Sequence, residues 1–118
     1  MDLTGKCKED FYNFITKGFK ECDFARDMII NDLKFKSKTE LNALIIEFFD
    51  SVGYHFNTGL SFLKKKPYKC ELYILDNDGI LGECYEFKGK FLSTKQSEAT
   101  EQSIKKANEI YNNLFLPK

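Results

Sequence analysis

The chain contains no tryptophan, a single histidine (His55), a single arginine (Arg26) and no net charge. Arginine is the side chain that most often reads guanine or holds phosphate through two parallel hydrogen bonds. Nonspecific nucleic-acid binding usually needs a net positive field, and here 18 basic residues are balanced by 18 acidic ones. The composition therefore disfavours a protein that reads nucleic-acid sequence.

The four cysteines (Cys7, Cys22, Cys70 and Cys84) never form a C-x-x-C pair. Since the chain also has only one histidine, this cysteine spacing excludes a zinc site of the usual kind. The first residues carry no apolar signal segment, and no apolar run reaches membrane-spanning length. We therefore expect reduced thiols in a cytoplasmic protein with no cofactor, no metal and no membrane partner.

Large aromatic side chains are abundant, with twelve phenylalanines and six tyrosines. A length of 118 residues fits one domain, because smaller pieces would have marginal cores. We expect an aromatic core, and we expect the phenylalanines and tyrosines left outside it to form a contact surface.

Hydrophobic spacing of three and four predicts helices in the first half of the chain. One helix covers 4–19 with Thr4 as its N-cap, and another begins at Ser37 or Thr39 and ends at Gly53. Between them, 22–35 favours a short helix, although an extended conformation stays open. The pattern Ser93-x-x-Gln96 predicts a capping box at the start of the last helix.

The period changes to two after residue 54, which predicts strands. A first strand over 54–63 is interrupted at 57–59, and 64–67 form a charged turn. The strongest strand covers 68–75, with Cys70, Leu72 and Ile74 on one face. A turn over 76–79 leads to a third strand over 80–87, in which Leu81, Tyr85 and Phe87 share one face while Ile80 and Cys84 share the other. Both faces of that strand could therefore be covered, one of them by a second subunit.

Together these patterns predict an α+β fold with N-terminal helices, a three-stranded antiparallel sheet and a C-terminal helix packed on the sheet. The domain covers residues 1–118. Residues 1–36 form a helical N-terminal extension, and residues 37–118 form an α-β-β-β-α core.

No residue set is typical of a catalytic site. His55 has no acid or nucleophile beside it in sequence, and Cys84 is expected to be a small buried hydrophobic residue. The run from Asp76 to Gly79 resembles the start of a calcium loop, but the twelfth position is Phe87, which supplies no oxygen ligand. We expect no enzyme; an enzyme acting on a small molecule would need a deep pocket at His55 or Cys84.

Four lysines form the candidate nucleic-acid site: Lys64, Lys65, Lys66 and Lys95. If they converge in space, they could contact phosphates. The alternative is that the first three form a solvated turn and that lysines protect the edge of the sheet.

The segment "FFDSVG" at 48–53 and the closing helix with "KANEIYN" resemble small phage and prophage proteins of the Bacteroidetes. The closing segment is also similar to the phage ABA-sandwich proteins. These resemblances imply an intracellular protein of viral or mobile-element origin, and they imply no activity.

The element order over 38–114 is similar to that of the double-stranded RNA-binding domain, whose last helix opens with a basic segment that holds phosphates. Here that segment reads Thr94-Lys95-Gln96-Ser97-Glu98-Ala99. It keeps Lys95 and Ala99 but adds a negative charge at Glu98.

The sequence therefore predicts a small, non-catalytic protein of phage or mobile-element type that binds a protein partner, either a host protein or a second copy. The alternative is binding of double-stranded RNA or another nucleic acid through the four lysines. A homodimer paired through an uncovered strand edge is also open.

Overall fold

The computed structural model describes residues 3–19, 21–77 and 83–115. Within them the chain forms four α-helices and one three-stranded antiparallel sheet, which confirms the predicted α+β fold. The elements are α1 (Gly5–Ile15), α2 (Asp23–Asp32), α3 (Lys38–Ser51), β1 (Tyr54–Leu60), β2 (Tyr68–Asn77), β3 (Glu83–Ser93) and α4 (Gln96–Asn113). The predicted turn over 76–79 lies partly outside the described residues.

Helix α3 begins and ends as predicted. Ser37 is its N-cap, and the Ser37 hydroxyl oxygen accepts a hydrogen bond from the backbone N–H of Glu40 at 3.2 Å. Gly53 follows the helix with a φ of +90°, a conformation that side chains with a Cβ rarely adopt. The chain therefore turns directly from α3 into β1.

The first strand is continuous, so the predicted interruption at 57–59 is wrong. Asn57, Thr58 and Gly59 pair with Glu71, Cys70 and Lys69 of β2. Pairing along the whole of β1 holds these residues extended, and this tertiary constraint overrides their local preference for a turn. The strand ends at Leu60, and 61–67 form the loop to β2.

The third strand is longer than predicted and contains a β-bulge. Leu72 pairs with Gly89 and Tyr73 pairs with Phe87, so Lys88 is the extra residue. A bulge increases the local twist and lets one strand continue where the alternation of its side chains is broken. This is why the strand continues to Ser93 although the sequence predicts that it ends at 87.

The C-terminal helix covers one face of the sheet, as predicted. Its buried side chains lie along one stripe: Ala99, Thr100, Ser103, Ile104, Ala107, Asn108 and Tyr111. The helix begins at Gln96 with Lys95 as the N-cap, so the predicted capping box at Ser93 is wrong. Ser93 is held in β3 opposite Tyr68, and its hydroxyl donates to the Glu98 carboxylate at 2.6 Å.

Aromatic rings join α3, α4 and the covered face of the sheet. The Phe49 ring stacks on Tyr54 with centroids 5.2 Å apart, and it meets Phe56 and Tyr111 edge-on. Such ring contacts add stabilisation beyond that from burying the large apolar area of the rings. The expected aromatic core is therefore present, and it is centred on α3.

Helix α1 packs into this core, although the sequence predicts residues 1–36 as an extension. Cys7 and Phe11 are fully buried. The backbone N–H of Thr4 donates to the Asn108 side chain of α4 at 3.0 Å. Gly5, with a φ of +57°, lies where an added Cβ would be 3.2 Å from the Asn112 side-chain oxygen. The start of α1 is therefore fitted closely against α4.

Helix α2 confirms the preferred interpretation of 22–35, but none of its residues is buried. A hydrogen bond from the Arg26 guanidinium to the Asn13 amide oxygen, 2.6 Å long, joins it to α1. Among the described residues, no helix combines the length and the hydropathy needed to cross a membrane.

Candidate binding surfaces

The open face of the sheet, opposite the helices, carries a group of aromatic side chains. The strand register places His55, Tyr73, Leu75, Tyr85 and Phe87 on this face. Side chains alternate between the two faces of a strand, so burying Tyr54, Phe56, Cys70 and Leu72 on the helix side turns these residues outward. Tyr85 and Phe87 are 54% and 52% exposed.

The rings on the open face contact one another. The Tyr73 and Phe87 rings meet edge-on with centroids 5.5 Å apart, and the His55 and Tyr85 rings lie 5.9 Å apart. The Tyr73 hydroxyl donates to the Glu71 carboxylate at 3.1 Å. Cross-strand aromatic pairs of this kind hold each ring in place. The open face is therefore an ordered surface.

Charges on the open face are balanced around Glu71. The Lys69 ammonium lies 3.0 Å from the Glu71 carboxylate, and Lys90 is the cross-strand neighbour of Glu71. The hydrogen bond from Lys69 is the main reason that the pKa of Glu71 lies below its ordinary value. The bond to Glu71 in turn raises the pKa of Tyr73. In the described part of the face, charges of both signs therefore lie side by side.

A second exposed apolar group lies at the tip of the β1–β2 hairpin. Leu60 is 70% exposed, Leu63 is 56% exposed, and Phe62 is fully exposed. The sequence predicts these residues inside a strand that runs to 63, but the strand ends at Leu60. The local signal was present: Gly59 precedes the group, and three lysines with Pro67 follow it.

Three of the predicted nucleic-acid residues lie in the same loop, and the fourth lies at the same end of the sheet. Lys64, Lys65 and Lys66 are exposed. Tyr68, where β2 begins, pairs with Ser93, where β3 ends, so Lys95 follows β3 at the hairpin end. Lys69, near the start of β2, is paired with Glu71. Nucleic-acid binding by these lysines stays a prediction.

A third exposed apolar group surrounds α2. Phe24, Met28 and Phe35 are largely exposed, and Phe19 is half-exposed just before the helix. A cleft between α2 and the body of the domain is lined by Ile15, Ile29, Leu33 and Leu44, among others. Because α2 has no buried residue, this group lies on the least firmly packed helix of the described chain.

The two residues with catalytic potential lie on different parts of the sheet. His55 stands on the open face of β1, whereas Cys84 pairs with Asp76 where the β2–β3 hairpin extends past β1. Cys84 is exposed, so the prediction that it is buried is wrong. Neither β1 nor the aromatic core reaches that part of the hairpin.

All four cysteines are free thiols; Cys7 and Cys70 are buried, and Cys22 is exposed like Cys84. Burial raises the pKa of Cys7 to about 12, which keeps this thiol protonated. In the parts of the chain that the structure describes, no three histidine, cysteine or acidic side chains converge in a way that could hold a metal ion.

The sequence missed both the open aromatic face and the apolar hairpin tip as surfaces. Alternation within β3 shows that Tyr85 and Phe87 share a face, but it does not show which face the helices cover. The predicted phage-type and RNA-binding-domain resemblances stay predictions. No family model, curated protein or solved structure matches the chain.

Proposed function

We propose that this chain is a non-catalytic binding domain of phage or mobile-element type whose partner is another protein. The open face of the sheet is the proposed contact surface. The observation that carries the proposal is the pair Tyr85 and Phe87, each more than half exposed on a face that no described helix covers. Exposed aromatic clusters of this kind are typical of sites where a partner excludes water.

The chemistry of the open face suits a protein better than a nucleic acid. Tyrosine and phenylalanine are enriched in protein interfaces, while charged residues are depleted at their centres. Here the acidic Glu71, paired with Lys69, stands next to the rings, so this part of the face is not the purely basic surface that phosphate binding favours. The contacts between Tyr73 and Phe87 and between His55 and Tyr85 reduce the side-chain entropy that binding would cost.

The size of the face favours a different protein over a second copy. Three strands about 4.8 Å apart, which are 7, 10 and 11 residues long, give a face of roughly 300–500 Å². Two copies stacked face to face would bury only that area, below the about 800 Å² per partner of a stable complex. A larger protein could also contact the free edge of β3, which pairs with β2 on one side only.

The test compares the wild-type chain with two serine variants in pull-downs from a bacterial lysate, with and without nuclease treatment. Phe87→Ser removes an aromatic ring from the open face. Phe24→Ser removes a ring from α2 that is more exposed than Phe87 and is the control. We expect a stoichiometric protein partner that Phe87→Ser loses and Phe24→Ser keeps, with unchanged circular dichroism for both variants.

Two results would contradict the proposal. A partner retained by Phe87→Ser would place the contact elsewhere, and a partner that disappears with nuclease would be tethered through nucleic acid. Light scattering over a range of concentrations tests self-association separately, and a dimer lost on Phe87→Ser would show that the partner is a second copy.

A further inference from the structure

The β1–β2 hairpin tip displays apolar side chains that make little contact with the rest of the chain. Phe62 is fully exposed, and Leu60 and Leu63 lie beside it, both more than half exposed. Leaving large apolar side chains in water forgoes the stabilisation that their burial would give. The tip therefore has apolar area available for a partner.

Hydrogen bonds across the loop hold the tip in one conformation. The backbone N–H of Ser61 donates to the Pro67 carbonyl at 2.7 Å, and the Ser61 hydroxyl donates to the Lys66 carbonyl at 2.8 Å. The hydroxyl also accepts from the backbone N–H of Leu63 at 2.9 Å. A loop closed in this way presents Phe62 and Leu63 without a large cost in backbone entropy on binding.

Positive charge lies directly behind the apolar tip. Lys64, Lys65 and Lys66 follow Leu63 in the chain, and Lys95 lies at the same end of the sheet. Among the described residues, none of these four lysines forms an ion pair, whereas Lys69 and Lys38 do. Glu98, the acidic residue nearest in sequence to Lys95, has its carboxylate bonded to the Ser93 hydroxyl.

We propose that the hairpin tip docks on the surface of a membrane that contains anionic lipid. Phe62 and Leu63 enter the boundary between headgroups and acyl chains, and the lysines behind them contact the negatively charged headgroups. Apolar insertion together with electrostatic attraction is the combination that gives stable binding to a membrane surface. Such contact needs no membrane-spanning segment.

The apolar tip favours lipid over a nucleic-acid duplex. Lysines alone could contact phosphates on either partner. A duplex, however, presents a charged and hydrated backbone that gives Leu60 and Leu63 nothing to pack against. Because the apolar side chains and the lysines share one seven-residue loop and its flanks, a partner that matches both is preferred.

The test measures sedimentation of the full chain with phosphatidylcholine vesicles prepared with and without phosphatidylserine. We expect binding only when phosphatidylserine is present, and weaker binding at high salt. Lys64→Gln with Lys65→Gln should weaken it about 30-fold. Phe62→Ser should weaken it about tenfold, because the buried ring is lost.

Matched controls separate the tip from general charge and hydrophobicity. Lys105→Gln with Lys106→Gln removes the same charge from α4, and Phe24→Ser removes an exposed ring from α2; both should bind like the wild type. Circular dichroism checks that each variant is folded. Because the hairpin tip and the open face are separate surfaces, Phe87→Ser should also leave vesicle binding unchanged.

Three results would overturn the proposal. The first is no sedimentation with either vesicle. The second is loss of binding in the lysine variant but not in Phe62→Ser, which would leave only electrostatic attraction. The third is lysine-dependent binding of an RNA or DNA duplex without vesicle binding, which would establish the nucleic-acid alternative.

Discussion

Asn112, near the end of α4, accepts a hydrogen bond from the backbone N–H of Cys7 in the first turn of α1, at 2.8 Å. The amide nitrogen of Asn112 donates to the Thr4 carbonyl at 2.9 Å. Thr4 occupies the N-cap position, but its own side chain makes no capping bond. A residue more than one hundred positions away in sequence therefore satisfies an N–H group that helices usually cap locally.

Replacing Asn112 by alanine should lower the free energy of unfolding by about 1–2 kcal/mol, because the Cys7 N–H loses its partner. The measurement is urea denaturation followed by circular dichroism. Asn113→Ala is the control, since Asn113 is the exposed next residue of α4. Equal stability of the two variants would show that the cap contributes nothing.

Replacing Gly53 by alanine should destabilise the chain by about 1–2 kcal/mol. The φ of +90° is strained for any residue with a Cβ, and the added atom would lie 3.2 Å from the Leu75 Cβ. Gly18→Ala is the matched control, because an added Cβ there meets nothing within 4 Å. Thermal denaturation should show a lower melting temperature for Gly53→Ala alone; a similar loss in both variants would contradict the conformational explanation.

Removing the hydroxyl groups of Tyr54 and Tyr111 should have opposite effects. The buried Tyr54 hydroxyl has no hydrogen-bond partner among the described residues, so Tyr54→Phe should be neutral or stabilising by up to about 1 kcal/mol. The Tyr111 hydroxyl donates to the Asp10 carboxylate at 2.5 Å, so Tyr111→Phe should cost about 1.5 kcal/mol. Denaturant unfolding of both variants tests the difference, and a loss of stability in Tyr54→Phe would reveal a partner for its hydroxyl.

The free energy of unfolding should fall at alkaline pH because buried groups stay protonated in the folded chain but ionise in the unfolded chain. Burial raises the pKa of Cys7 from 9.0 to about 12 and that of Tyr54 from 10.0 to about 12. The unfolded chain loses these protons first, so the stabilisation is complete below pH 9 and declines as the pH rises toward 12. Each group contributes a slope of roughly 1.4 kcal/mol per pH unit between its two values.

Cys7→Ala should reduce this decline between pH 9 and 10, where Cys7 ionises in the unfolded chain before Tyr54, and the remaining decline comes from the buried Cys70, whose pKa burial also raises. The exposed Cys22→Ala variant is the control and should keep the wild-type slope. Unfolding in denaturant at a series of pH values provides the measurement. A stability that stays constant up to pH 11 would contradict the burial of both groups.

Local signals sufficed to predict the elements whose conformation is set locally. Ser37 and Gly53 delimit α3 through a side-chain cap and a left-handed backbone, and both can be recognised from residue type. The face of β2 that carries Cys70 and Leu72 follows from simple alternation. The roles of these residues can therefore be predicted without information from the rest of the chain.

The sequence-based predictions failed where residues distant in sequence determine the local conformation or the covered face. Ser93 has the local sequence of a helix cap, but pairing with Tyr68 keeps it in β3. The open aromatic face exists because α3 and α4 both pack on the other side of the sheet. The alternation of residues within β3 does not show which side the helices cover. Hydrogen bonds of the Ser61 hydroxyl hold the loop at the hairpin tip in place. These bonds form because β1 ends at Leu60, which local sequence does not show.

The contact between α1 and α4 also constrains the order in which the chain can fold during synthesis. Residues 4–15 are synthesised about a hundred residues before Asn108 and Asn112, which hold the start of α1. At a synthesis rate of roughly 5–20 residues per second, several seconds pass between the synthesis of α1 and that of the α4 residues that contact it. During that interval Phe11 has no completed core to enter, so the nascent chain carries an exposed apolar helix face that a chaperone could bind.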